Sequence, residues 1–288
     1  MRVKSFAKIN LGIEVLKKRV DGYHEIRTLF QTVGLYDLLE ISPHPGNEFI
    51  LEGSDRSLSW DETNLIHRAG MLLKERFQCE RGAEIRVTKN IPAGKGLGGG
   101  SSNAAVTLLA LNEMWGLNLK KEALQGLGSL LGADVPFFFE GGLCLGEGTG
   151  SRISPLEDMS PCRCVLVLPS VSLATASVYK AHRVSLTSQK KGSKIIRFLD
   201  SRDLGFLEND LEKTVFRSYP QIKAIKRLLE KQGSKLTLMS GSGSAVFGLF
   251  LQKEKAEKAV RALSEEHPVV NVATIPREIY RTEIGTGV

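Results

Sequence analysis

Pro92-Ala93-Gly94-Lys95-Gly96-Leu97-Gly98-Gly99-Gly100-Ser101-Ser102-Asn103 is the stretch that decides how this chain is read. Five of the seven residues from 94 to 100 are glycine. A tight turn needs only one or two, at the positions that must take positive φ. The run stands between a stretch that alternates like a strand, residues 83–89, and a helical run from Ser102 to about Trp115. A glycine-rich bend that opens a helix turns successive backbone N–H groups toward one point, which makes it an anion site. Two familiar phosphate loops do not fit. Residues 94–99 satisfy G-x-G-x-x-G, but the dinucleotide version needs an acid about 20 residues on, where Leu119-Lys120-Lys121 stands. The Walker loop needs Ser or Thr after Gly-Lys, and Gly96 follows Lys95.

Working outward, residues 2–16, 29–42 and 48–52 read as strands, with a turn at Asp21-Gly22 and with Pro43, Pro45 and Gly46 as breakers. A helical stripe of Leu65, Ala69, Leu72, Leu73 and Phe77 follows a Thr63 or Asn64 cap, and 121–131 is a further short helix. Beyond Pro155 the order becomes strand (162–168), helix (ending at Gly233), strands (235–239 and 245–251), helix (around 256–263) and strand (269–275). That order is the ferredoxin-like α+β sandwich. The chain is expected to be a two-domain α+β protein, divided into 1–155 and 156–288, with an exposed loop near 186–194.

Composition excludes several classes. The 288 residues are 42% apolar and 25% charged, ordinary globular usage and neither disordered nor fibrous. No apolar run approaches the roughly 18 residues of a membrane span. The opening MRVKSFAKINLGIEV lacks the continuous apolar region of a signal peptide, so a cytoplasmic protein is expected. Cys79, Cys144, Cys162 and Cys164 form no CxxC pair, and Cys162 and Cys164 read as thiols at a strand rather than metal ligands. His24-Glu25 lacks the second His of a zinc-protease helix. The net charge of +7 is carried by dispersed residues. Its two clusters, Lys17-Lys18-Arg19 and Lys190, Lys191, Lys194, Arg197, contain no interleaved aromatics, so they read as solvated loops rather than nucleic-acid contacts.

Two lone charges stand out. Asp134 lies in the apolar run Gly132-Ala133-Asp134-Val135-Pro136-Phe137-Phe138-Phe139, where an acid must find a partner or lose its charge. It is either a structural carboxylate, such as a helix cap, or a functional acid. Lys8, in SFAKINLGI, is either a solvent-facing strand lysine or the partner of such an acid. Asn10, two residues along, shares its strand face.

Ala7-Lys8-Ile9-Asn10-Leu11, Gly96–Ser102 and Ser240-Gly241-Ser242-Gly243-Ser244 together resemble the superfamily of galactokinase, homoserine kinase, mevalonate kinase and phosphomevalonate kinase, the GHMP kinases. Asp21-Gly22-Tyr23-His24 and Gly132–Phe137 narrow the likeness to the branch that acts on a cytidine-diphosphate derivative of methylerythritol, in the non-mevalonate route to isoprenoid precursors. The likeness covers nearly the whole chain. It implies an N-terminal domain of the ribosomal S5 domain 2-like type, carrying ATP binding and catalysis, before the ferredoxin-like domain. It also implies ATP and Mg²⁺ as cofactors, a small cytidine diphosphate substrate phosphorylated on its 2-hydroxyl, no nucleic-acid or membrane partner, and a monomer or weak homodimer. Residue by residue it assigns Lys8 and Asp134 to catalysis and all of Pro92–Ser102 to ATP, with Ser101 or Ser102 near the metal. Asn10, Tyr23, His24, Tyr179, Gly241 and Ser242 fall to the acceptor, Tyr23 and Tyr179 as stacking faces for the base and His24 for its polar edge. This chain departs from the family pattern at Ser151, usually Glu, and at Asn103, often Asp; Asn103 is expected to cap the helix as Asp would.

Overall fold

The structure is a computed structural model and describes residues 1–182 and 192–285. Lys190 and Lys191, and most of the loop expected at 186–194, lie outside the described residues. Lys194 opens a helix, Lys194–Ser201, capped by the Ser193 hydroxyl.

β1 (Arg2–Lys18) and β2 (His24–His44) form a long antiparallel hairpin, paired from Arg2 opposite Glu40 to Lys18 opposite His24 with register shifts between Phe6 and Ala7, Asn10 and Gly12, and Val15 and Lys17. Its turn is closed by the Arg19 N–H donating to the Tyr23 carbonyl at 2.8 Å. The other edge of β2 serves two strands in succession: β5 (Leu143–Gly148) along residues 26–31, and β4 (Gly82–Thr88) along 38–44. β3 (Phe49–Gly53) pairs parallel to β4 and β6 (Arg152–Pro155) pairs with β5, which completes six strands. Helices α1 (Leu65–Phe77), α2 (Gly99–Met114) and α3 (Lys121–Leu131) contribute to the core of this sheet. α2 is buried along nearly its whole length from Ser102 to Leu111, as befits a helix apolar on every side.

The second sheet is made by β7 (Arg163–Val167), β8 (Leu236–Met239), β9 (Val246–Phe250) and β10 (Val269–Ala273), in the order β10-β7-β9-β8 with every pair antiparallel. Helices Pro220–Lys231 and Lys253–Leu263 pack against it. This is the ferredoxin-like arrangement that the order of elements predicts. The sheets meet where Val33 bridges Thr274 and the Ile275 N–H donates to the Thr32 carbonyl at 2.9 Å. After β10 the chain returns to the first core. Helix Arg277–Ile284 buries Tyr280 completely, and the Tyr280 hydroxyl donates to the Phe138 carbonyl at 2.5 Å.

Two sequence expectations change at α2. The helix begins at Gly99 rather than Ser102, and its N-cap is Gly98. Asn103 therefore lies inside the helix and caps nothing; it is buried, and its Oδ1 accepts from the Ser5 hydroxyl at 2.6 Å. All four cysteines are free, and burial pushes the Cys144 thiol up to about 12.

Candidate active site

Gly94, Gly96 and Gly98 all adopt left-handed φ, between +68° and +78°, and so fold residues 94–98 into a compact bend. The first intrahelical bond of α2 is the Ser102 N–H to the Gly98 carbonyl. The N–H groups of Gly99, Gly100 and Ser101 consequently have no partner within the helix, and the positive end of its dipole adds to them. Beneath the loop, buried Asp37 accepts from Lys89 Nζ at 2.5 Å and from the N–H groups of Asn90 and Ile91 at 2.7 Å, which fixes the chain leading in.

The 240–244 turn lies directly against this bend. A Cβ on Gly96 would stand 2.1 Å from the Ser240 carbonyl oxygen. The Ser240 hydroxyl donates to the Gly96 carbonyl at 2.8 Å, and the Ala245 N–H to the Lys95 carbonyl at 3.1 Å. On the other side the Lys8 N–H donates to the Leu97 carbonyl at 2.9 Å, and a Cβ on Gly98 would meet Lys8 Cγ at 3.0 Å. The start of α2 is thus in contact with Lys8.

Lys8 is not a solvent-facing lysine. Only 2% of it is exposed, and its Nζ reaches Asn10 Oδ1 at 2.5 Å and Asp134 Oδ2 at 3.2 Å. Asp134 occupies the N-cap position of the 3₁₀ turn Val135–Phe139, yet its side chain makes no capping hydrogen bond. Its carboxylate instead faces Lys8 and opens into a cleft of about 860 Å³. Asn10 is held from behind: its Nδ2 donates to Thr28 Oγ1 and Thr28 Oγ1 to the Gly12 carbonyl, both at 2.8 Å.

The same cleft reaches Tyr23, His24, Thr175, Tyr179, Gly241 and Ser242. The ring opposite Tyr179 is His24, with centroids 5.4 Å apart, whereas Tyr23 stands at the mouth, 65% exposed. Burial, and then the charge of Lys18, lower the His24 pKa, so its imidazole is neutral at pH 7 with one donor and one acceptor nitrogen. Burial, and then the charge of Asp134, raise the Tyr179 phenol. Ser242 and Thr175 share a hydroxyl contact at 2.9 Å.

Known proteins resemble this chain over most of its length. Residues 64–142 match the GHMP kinases N terminal domain and 196–269 the GHMP kinases C terminal. A 4-diphosphocytidyl-2-C-methyl-D-erythritol kinase of Solibacter usitatus is 40% identical over 97% of this chain and 90% of its own. One of Thermodesulfovibrio yellowstonii is 41% identical over 90% and 92%. A crystal structure of 4-(cytidine 5'-diphospho)-2C-methyl-D-erythritol kinase, 34% identical, superposes with a TM-score of 0.81 over 95% of this chain and 99% of that one. The chain belongs to the 4-diphosphocytidyl-2-C-methyl-D-erythritol kinase family of the GHMP kinases. A homoserine kinase from Cytophaga hutchinsonii, 19% identical with a TM-score of 0.75, shares the fold.

Two residues of the loop are placed differently from their neighbours in this kinase. The Ser102 hydroxyl is fully buried and lies 2.7 Å from Ser5 Oγ, to which it donates because the Ser5 proton goes to Asn103; half-buried Ser101 is therefore the more accessible hydroxyl at the helix start. The Lys95 ammonium runs to the 169–172 segment. Sequence reasoning missed Thr28, Thr175 and Asn209. Asn209 Nδ2 donates to the carbonyls of Met239 and Gly241, both at 2.8 Å, and so clamps the 240–244 turn. It sits in the polar run Glu208-Asn209-Asp210-Leu211-Glu212, which looks like an exposed segment and carries no local cue to that role.

Proposed function

We propose that the chain transfers the γ-phosphoryl group of ATP to the 2-hydroxyl of 4-diphosphocytidyl-2-C-methyl-D-erythritol. The carrying observation is the Lys8–Asp134 pair, 3.2 Å apart, between the free N–H groups of α2 and the cleft that contains His24 and Tyr179. Phosphoryl transfer asks mainly for positioning, charge neutralisation and a group that takes the acceptor's proton. The 94–101 backbone cradles the phosphates, Asp134 orients the hydroxyl and accepts its proton, and Lys8 holds Asp134 in place through their 3.2 Å ion pair while facing the transferring oxygens. Neutral His24 meets the polar edge of cytosine, with Tyr179 and Tyr23 offering aromatic faces and Asn10, Gly241 and Ser242 lining the path between.

Among the described residues no three His, Cys, Asp or Glu side chains converge on a metal site. That suits Mg²⁺, which keeps most of its waters and takes one or two protein oxygens beside substrate phosphates. Ser101 is the fitting side-chain donor, and Mg²⁺ held there would neutralise phosphate charge. The same reading assigns 1–155 to ATP binding and catalysis and 156–288 to the ferredoxin-like partner domain, in a cytoplasmic monomer or weak dimer. Among the described residues no helix is long and apolar enough to cross a membrane.

The test is ADP release with a panel of acceptors, in the wild type and in Asp134→Asn. Turnover is expected with the cytidine diphosphate compound and not with homoserine or mevalonate. Asp134→Asn should lose about 100-fold or more in kcat with little change in nucleotide affinity, the usual value of a positioned base. Turnover of another acceptor, or near-normal Asp134→Asn activity, overturns the reading.

A further inference from the structure

Lys95 sits in the middle of the glycine bend, yet its head group is fully engaged elsewhere. Its Nζ lies 2.7 Å from the Pro169 carbonyl oxygen, 2.7 Å from that of Val171, 3.3 Å from that of Ser170 and 3.2 Å from Ser172 Oγ. An ammonium has three N–H donors, so four acceptors saturate it. The residue is only 9% exposed. No carboxylate pairs with it among the described residues, and burial lowers its pKa. Neutral carbonyl and hydroxyl oxygens that replace the hydration shell of a cation are the donor set of a monovalent-cation site.

We propose that residues 169–172 form a cation cage, occupied by the ammonium of Lys95, and that this tethered cation bolts the glycine bend to the acceptor side of the cleft. Three segments meet there. The Lys95 carbonyl accepts from Ala245. The Val171 carbonyl accepts from the Ser244 hydroxyl as well as from Lys95. Three residues beyond Ser172 begins the helix Thr175–Ala181, which carries Thr175 and Tyr179 into the cleft. One cation thus sets the bend, the 240–245 turn and the Tyr179 helix against one another. The cage stands on its own geometry; its bearing on nucleotide binding rests on the function proposed above.

Chemical rescue tests it. Lys95→Ala leaves the carbonyls without their donor, so Tm should fall and ADP should bind about 10-fold or more weakly, the scale of a lost hydrogen-bonded charge. Methylammonium, which supplies the missing head group, should raise Tm and restore ADP affinity in Lys95→Ala. Tetramethylammonium, with the same charge and no N–H, should do neither, and the wild type should respond to neither salt. In Lys95→Met the thioether fills the cage, so affinity falls without rescue. Wild-type Tm and ADP affinity in Lys95→Ala, or equal effects of the two salts, overturn the cage. Should Lys95→Ala fold only poorly, its refolding yield in the two salts is the same comparison, and equal yields overturn the proposal. A wild type that binds no ADP, with Lys95→Ala still stabilised by methylammonium alone, would remove the ATP reading and support the cation cage.

Discussion

The hydroxyl of Thr28 settles which end of the Asn10 amide faces Lys8. Thr28 Oγ1 gives its proton to the Gly12 carbonyl and so can only accept from Asn10, which turns Nδ2 away and leaves Oδ1 for the ammonium. With the amide reversed, two N–H donors would face a cation. Thr28→Val keeps the shape and removes this control. It should lower kcat by about 10-fold and cost about 1–3 kcal/mol of stability, because Asn10 Nδ2 and the Gly12 carbonyl are left buried and unpaired. Thr28→Ser should restore most of both, which steady-state kinetics and thermal unfolding will show. Lys8 and Asn10 were legible as neighbours because a strand puts residues i and i+2 on one face. Thr28 was not, since its contact with Asn10 spans eighteen positions and depends on the hairpin register. Lys95 was legible as a member of the bend, but the reach of its side chain depends on a segment more than seventy residues away.

At the scale of elements, the glycine bend separates residues that must be glycine from one that need not be. Gly96 has φ +78°, and an added Cβ would press on the Ser240 carbonyl, so Gly96→Ala must force the hydrogen-bonded bend and turn away from each other. Gly100 lies in the first turn of α2 with only an ordinary contact to Leu65 at 3.6 Å. Gly96→Ala should lower Tm and weaken ADP binding, whereas Gly100→Ala should leave stability unchanged or raise it by about 0.5–1 kcal/mol; calorimetry of the two variants makes the comparison. Long periodic elements such as α1, α2 and the paired strands of the second sheet were legible because many residues repeat one pattern. β5 and β6 were not: they are short, and Leu143-Cys144-Leu145-Gly146-Glu147-Gly148 reads as glycine-rich loop until β2 offers it an edge. The helices Thr175–Ala181, Glu212–Ser218 and Arg277–Ile284 were missed for the same reason, each being two turns or so of weak periodicity.

Across the whole molecule, sequence order told which elements make each sheet but not which core the last helix joins. Arg277–Ile284 follows the second sheet and yet packs into the first, through Tyr280 and an ion pair between Arg281 and Glu140 at 3.1 Å. Tyr280→Ala should therefore cost about 3–5 kcal/mol by opening a cavity far from its own sheet, while Tyr280→Phe, which loses only the hydrogen bond to Phe138, should cost about 1 kcal/mol. Denaturant unfolding of the two variants will separate the terms. The route of this helix also dictates a timetable. A ribosome completes the first six strands, the glycine bend and Asp134 long before it makes Tyr280, so the nascent N-terminal half waits with an unfilled socket behind Phe138 while the second sheet is synthesised. Until then the place of Tyr280 in the first core stays open, and a chain that stops short of it keeps an apolar hole there.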